Sequence, residues 1–449
     1  MTKSAVSSNF FTSGKAETAV RLFWIGAMMA ICCGEAAAQS GAPADFLGGV
    51  SLYADVARYA SFGLHRFGSP GDHATADWIG AELKAAGFDV EFLPVVLDRQ
   101  YVVDDARVLA GGAEIAATPL WWPPPDKASF RLTAPLVRDG DAASKILLLD
   151  LPYDRAAYLG PAHRKAIGEA AARGPAAILL TIDNPGDERF AYNVTQEDQP
   201  WPVPVMVVAR RDAPALEHAL RAGEHVTFEV AGRYQRHIAS RNVVARLGSG
   251  TGPTVVVSTP MTGWYGCVCE RGPGIANFLA LARMVAAEKL ANNYVFVATA
   301  GHEIGHGGME LFLKQGAPPP EDTLAWIHLG ASNACYAWTK GPDGFVNDRK
   351  VDASLRFLVL SPSALPLAAE TFGAVEAQRL VAEKQAIGEL RDVQAAGYRH
   401  FLGLAGLHRF FHTPADDLKT TGPEILEPVA RAFADAVRKI AARGEGAFK

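Results

Sequence analysis

The sequence predicts an α/β fold: a mostly parallel central sheet flanked by helices, with a second unit inserted into it. Three observations carry the prediction. From Arg241 onward, short apolar strand runs alternate with helix-like stretches. Between about residues 101 and 235 the pattern changes to strand runs and turns with no cluster of reactive side chains. Polar and titratable residues gather directly after the later strand runs, which is where open α/β sheets bind ligands.

The elements follow in chain order. Lys3, Lys15 and Arg21 precede an apolar run from Leu22 to Cys33, and Ala36, Ala37 and Ala38 stand before Gln39. A basic region, a short apolar core and small residues describe a secretory signal peptide over residues 1–38. The run is short for a membrane span. The expected mature protein is therefore periplasmic or secreted and not membrane-embedded. It keeps Cys267, Cys269 and Cys335, so it has at most one disulfide and at least one free thiol. Ala74–Ala86 reads as a helix with Trp78, Ile79, Leu83 and Ala86 on one face and Gly87 at its stop. Asp89–Leu93 then alternates like a strand. The inserted unit has strand runs Ile146–Leu151, Ala177–Ile182 and Val203–Val208, with a helix Ala162–Arg173 between the first two. After Arg241 the predicted strands are Asn242–Leu247, Thr254–Ser258, Tyr294–Thr299, Leu324–Leu329, Arg356–Leu360 and Phe401–Leu404. The predicted helices are Ile275–Glu288, Ala364–Lys384 and Glu424–Ala442. A net charge of -5 without any basic block gives no reason to expect nucleic acid as a partner.

The residues after the strands carry the chemistry. Thr254–Ser258 is followed by a loop holding Trp264, Tyr265, Cys267, Cys269, Glu270 and Arg271. Tyr294–Thr299 is followed by His302-Glu303-Ile304-Gly305-His306, a formal H-E-x-x-H. On a helix that pattern is a zinc-protease signature, but Gly305, Gly307 and Gly308 make this a weak helix interior. Phe401–Leu404 is followed by His408, His412, Asp416 and Asp417.

These stretches resemble the zinc-dependent exopeptidases that include bacterial leucyl aminopeptidases, glutamate carboxypeptidase and glutaminyl cyclases. The carriers are Arg66–Gly71 with the following helix, Ser240–Ala245, Gly274–Arg283, Gly301–Gly308 and Phe411–Asp417. Lys145–Leu149 and Gly174–Leu180 resemble markers of the β-rich protease-associated domain often inserted in these enzymes. The resemblance implies an exopeptidase-like domain over 42–100 and 236–449, with the insert at 101–235. It also implies two zinc ions at the strand ends, but here the first site is lost: its ligand positions fall on Pro260, Thr262 and Gly330. The second site's positions fall on Glu270, Glu303 and His412, with His306 as a further candidate, and suit a single zinc ion. His302 stands where the family keeps its general base, and Trp264, Tyr265 and Arg271 stand near its substrate pocket.

The expected function is thus an exported, metallopeptidase-like hydrolase of a peptide or small amide, with one zinc or none. Two alternatives stand beside it: a non-catalytic periplasmic binding or scaffold protein on the same fold, and a metal-independent enzyme using His302. The residues have plainer readings too. Glu270 could be ion-paired with Arg271; His306 and His408 could be structural; Asp416 and Asp417 could cap the turn that follows them; and Cys267 or Cys269 could pair with Cys335.

Overall fold

The computed structural model describes residues 45–248 and 252–449, and the expected signal peptide lies outside them. The described chain opens with helices α1 (Gly49–Ala60) and α2 (Pro70–Ala85). Ser69 starts α2 by accepting the Asp72 amide, and Pro70 sits at the first helical position, where its missing N–H costs nothing. Strands β1 (Asp89–Ala110), β2 (Ala113–Pro119), β3 (Phe130–Val137) and β4 (Ile146–Pro152) precede α3 (Pro161–Ala172). Then come β5 (Ala177–Asp183), β6 (Val205–Val208), α4 (Ala213–Ala222), β7 (His225–Leu247) and β8 (Thr254–Pro260). Next are α5 (Val268–Glu288), β9 (Asn293–Thr299), α6 (Gly307–Gln315) and β10 (Thr323–Leu329). The hairpin β11 (Tyr336–Gly341) and β12 (Gly344–Val351) is followed by β13 (Arg356–Leu360), α7 (Leu365–Thr371) and β14 (Gln378–Val381). The chain ends with α8 (Glu389–Ala395), β15 (Phe401–Gly406) and α9 (Pro423–Arg443).

The long strands β1 and β7 organise the sheet. They pair antiparallel from Asp89↔Arg246 to Leu109↔Thr227. On one side of β7 the order runs β7-β9-β8-β10-β15-β13-β14, with β9, β8, β10 and β15 mutually parallel. On the other side it runs β7-β3-β4-β5-β6-β2-β1, and the β1–β7 pairing closes that run into a ring. The expected boundaries near residues 100 and 236 fall inside these strands and face each other, with Gln100 paired to Gln235 and Arg99 to Arg236.

The parallel strands read as continuous apolar runs because both of their faces are covered. Every residue of β8 is buried. Helix α5 is buried from Val268 through Ala282, so it shows no amphipathic stripe. Helix α9 does: Ile425, Leu426, Val429, Phe433, Val437 and Ile440 face the core, each worth about 1.5–3 kcal/mol of burial.

One expected element is corrected. The helix predicted over Ala364–Lys384 is only α7, and Gln378–Val381 forms strand β14 beside β13. Here edge pairing outweighs the helix-like apolar spacing.

Candidate functional site

The loops leaving β8, β9, β10 and β15 converge at the carboxyl end of the sheet. Each contains a non-glycine residue with positive φ: Cys267 (37°), His306 (58°), Ser332 (54°) and His412 (56°). Side chains rarely adopt this conformation, and its clustering marks loops fixed by their surroundings. Asn242 pins the loop after β9, donating to Gly308 O at 2.7 Å and accepting from Ala300 N at 3.0 Å. A Cβ at Gly308 would lie 2.2 Å from Ala300 O, so only glycine fits this close approach.

At the centre stands Arg271, 1 % exposed. Its Nη2 donates to Glu303 Oε1 at 2.5 Å and lies 2.9 Å from Glu270 Oε1, the latter at an angle that makes an ion pair rather than a hydrogen bond. Its Nε donates to Thr262 O at 2.7 Å. Glu303 Oε2 accepts from Thr262 Oγ1 at 2.8 Å. His412 Nδ1 donates to Ala191 O at 2.7 Å, which leaves Nε2 facing Glu270 Oε1 at 3.3 Å. Burial alone would push Glu270 up, but Arg271 and His412 hold it down at about 2. Burial raises Glu303, against the pull of Arg271. Burial also opposes the charge on Arg271, and the two carboxylates outweigh it, so the guanidinium stays charged. One cation is thus shared by two carboxylates, one of them held down and the other raised by burial.

Beside this centre lie two carboxylate–imidazole pairs. His302 Nδ1 is 3.1 Å from Glu389 Oε1, and His306 Nδ1 is 2.6 Å from Asp392 Oδ2. The two rings stack with centroids 4.5 Å apart. Burial, then Arg271 and His306, push His302 well below its ordinary range, so its ring is neutral near pH 7. His328, also buried, bonds Ser258 Oγ at 2.9 Å.

A segment between β5 and β6 crosses the centre. Ala191 N donates to His412 O at 3.0 Å, Val194 N donates to Glu303 O at 3.0 Å, and Asn193 Oδ1 accepts from Trp264 Nε1 at 2.8 Å. Phe190, Ala191 and Tyr192 of this strap also line a cavity of about 550 Å³, together with Trp264, Tyr265 and Trp121.

This architecture has solved counterparts. A zinc aminopeptidase from Bacillus subtilis superposes with a TM-score of 0.67 at 15% identity, covering 90% of this chain and 99% of that one. A peptidase M28 precursor from Shewanella amazonensis gives 0.62 at 17% identity, covering 87% and 92%. An aminopeptidase from Aneurinibacillus sp. strain AM-1 gives 0.57 at 18% identity, covering 87% and 93%. The chain has the zinc-exopeptidase fold. No protein-family model matches it, and no curated protein matches its sequence. The likeness therefore extends to the fold, and the site has to be judged on its own residues.

On this exopeptidase fold the expected zinc ligands converge on the Arg271 guanidinium and not on an open metal position. Both oxygens of Glu303 have partners, Arg271 and Thr262. Glu270 and His412 face each other at 3.3 Å and offer at most two ligands, fewer than the three protein ligands that catalytic zinc takes. A permanent cation already sits between the two carboxylates, so a second, divalent one would be repelled. Among the described residues no group of three or more His, Cys, Asp or Glu could hold a metal ion. The residues as arranged do not fit zinc. His306, the further candidate, is engaged by Asp392, and residues 302–306 form turns before α6 begins at Gly307.

The other expectations sort as follows. Trp264 and Tyr265 do line a cavity, but Arg271 does not; it is buried between Glu270 and Glu303. Gly330, expected at a lost ligand position, has no room for a side chain, since a Cβ there would lie 2.8 Å from that of Ala405. Asp416 accepts from the Thr420 hydroxyl in the turn that follows it, at 2.9 Å, and takes none of that turn's backbone amides. It reaches back to the start of α5, accepting from Cys269 N at 2.8 Å and Glu270 N at 3.0 Å. Asp417 does cap its own turn, through Lys419 N. His408 lies between Ser332 Oγ (3.0 Å) and Asp416 (3.4 Å). Cys269 pairs with Cys335, and Cys267 stays free and buried against Tyr59 Oη at 3.0 Å. Sequence reading missed Glu389 and Asp392. Their spacing at the start of α8 put them on one helical face, the one available signal.

Proposed function

We propose that the protein is an exported binding protein for a small peptide- or amide-like ligand, which uses a zinc-exopeptidase fold without catalytic zinc. The observation that carries this reading is Arg271, whose guanidinium stands between Glu270 and Glu303 and takes the charge-balancing place a metal would fill. The strap at 190–194 supports it, because backbone hydrogen bonds tie that strap to His412 and Glu303. The Cys269–Cys335 disulfide, together with the basic and apolar N-terminal pattern, supports export.

The test combines activity and stability. The purified protein is assayed against a panel of aminoacyl amides and short peptides with and without added zinc, and is melted with and without chelator. The reading expects no turnover in either condition and the same melting temperature in chelator. Zinc-dependent turnover, lost in Glu303→Ala and His412→Ala, would restore the hydrolase.

A second reading rests on the His302–Glu389 pair. A neutral imidazole whose Nδ1 is held by a buried carboxylate has its Nε2 lone pair ready to take a proton from water, which is the arrangement of an oriented general base. Chelator-resistant amide hydrolysis that disappears in His302→Ala would select this metal-independent enzyme.

A further inference from the structure

The 550 Å³ cavity contains two arginines with no carboxylate oxygen within salt-bridge distance, although Asp212, which burial raises, lies close enough to Arg189 to be lowered in part by its charge. Arg66 Nη2 donates to Tyr101 O, its guanidinium lies 5.2 Å from the centroid of the Trp264 ring, and its Nε is buried with no hydrogen-bond partner. Arg189 Nη1 donates to Ala117 O at 3.1 Å, and its guanidinium lies 6.0 Å from the centroid of the Tyr265 ring. Neither has an Asp or Glu oxygen within salt-bridge distance among the described residues, whereas the cavity's third arginine, Arg107, is paired with Glu114 and Glu229. Burial lowers Arg66 to about 10, so its charge is carried at a cost that the protein's own groups offset only in part. Its walls are aromatic: Trp121, Tyr192, Trp264 and Tyr265, with the Tyr265 hydroxyl held by Thr118 Oγ1 at 2.9 Å. The acidic lining residues Asp104, Asp105 and Glu114 are exposed, and Asp104 is paired with Arg233 and Glu114 with Arg107.

From this geometry we infer that the cavity binds a small carboxylate with an aromatic or acyl body, anchored by Arg66 and Arg189 and stacked against Trp264 and Tyr265. Arginine matches the planar carboxylate with two parallel donors, and the volume is that of a small-molecule site. The carboxylate could belong to a free acid or to the C-terminus of a short peptide. The inference rests on the binding reading above and names the class of ligand that reading leaves open.

Calorimetric titration tests it with three probes: N-acetylphenylalanine, its uncharged amide, and the dipeptide glycylphenylalanine. The acid is expected to bind at least about tenfold more tightly than the amide, since its hydrogen bonds to a guanidinium are charge-assisted and the amide's are not. Arg66→Met and Arg189→Met should each remove most of that preference while leaving the melting temperature nearly unchanged. Tighter binding of the dipeptide would assign the carboxylate to a peptide end, and tighter binding of the acetylated acid to a free acid; both support the site. Equal binding of acid and amide, no binding of any probe at millimolar concentration, or an unchanged preference in both variants would overturn it. The outcome is separable from that for the centre. Acid binding that holds while Arg271 behaves as an ordinary surface residue would overturn only the reading of the centre.

Discussion

Arg271 and Arg66 both carry buried guanidinium atoms, but their surroundings differ. Arg271 is enclosed by protein and shared between Glu270 and Glu303, so its charge is balanced within the chain. Arg66 has a backbone carbonyl and an aromatic face, and it lines an open cavity. The first environment is what a structural cation needs. The second is what an anion-binding cation needs. On one sheet, therefore, the strand-end centre has been closed with protein groups, and recognition has a separate place beside the strap.

The contrast can be broken most forcefully at Arg271. Arg271→Met leaves two buried carboxylates facing each other and should cost about 3–5 kcal/mol in urea unfolding at neutral pH. A loss below about 1 kcal/mol would mean that the guanidinium balances nothing. Next in size is the disulfide that holds the start of α5 to the loop after β10. It spans a sequence separation of 66, and replacing both Cys269 and Cys335 by alanine should cost about 2–4 kcal/mol by the same measurement.

His65 sharpens the comparison through pH. It is fully buried, stacked on Tyr59 at 3.7 Å, and burial lowers it from 6.5 to about 3. Because the folded value lies below the unfolded one, its contribution to stability is present above pH 6.5 and is lost as pH falls toward 3. Between pH 6 and 4.5, the stability of the wild type should fall about 1.4 kcal/mol per pH unit more steeply than that of His65→Asn. Parallel curves would contradict the burial of a neutral ring.

A smaller effect is expected at Asp416, whose carboxylate holds the first amides of α5. Asp416→Ala should cost about 0.5–2 kcal/mol, the range of helix caps. The smallest is at the cavity: Arg66→Met should change folding stability by less than about 1 kcal/mol, since no protein carboxylate loses its partner. A loss as large as that at Arg271 would make the two arginines alike and remove the distinction.

Much of the fold was legible because period-2 and buried-strand runs are local. Arg356–Leu360 was read to the residue, and β8, β9 and β10 within two. The start of α5 was hidden because Gly272, Pro273 and Gly274 read as a loop, while the helix is buried all round and has no polar face to reveal its period. The great length of β1 and β7 was hidden because charged residues interrupt their outer halves. The centre was only partly legible. Which loops carry polar residues could be read from strand ends, and Glu270, Glu303 and His412 lie around Arg271. That Arg271 turns inward to Glu303, 32 residues away, depends on the convergence of two loops, and no local pattern encodes it. The strap's ties to His412 and Glu303 carry no sequence signal, since they are made by backbone groups.

The most direct test of the account is the zinc bound per chain after dialysis against zinc, measured by plasma mass spectrometry on the wild type and Arg271→Ala side by side. The account predicts that the wild type retains no stoichiometric zinc and that the variant gains about one ion per chain, because Glu270, Glu303 and His412 are released to ligate. One zinc per wild-type chain, undiminished by the presence of Arg271, would contradict it.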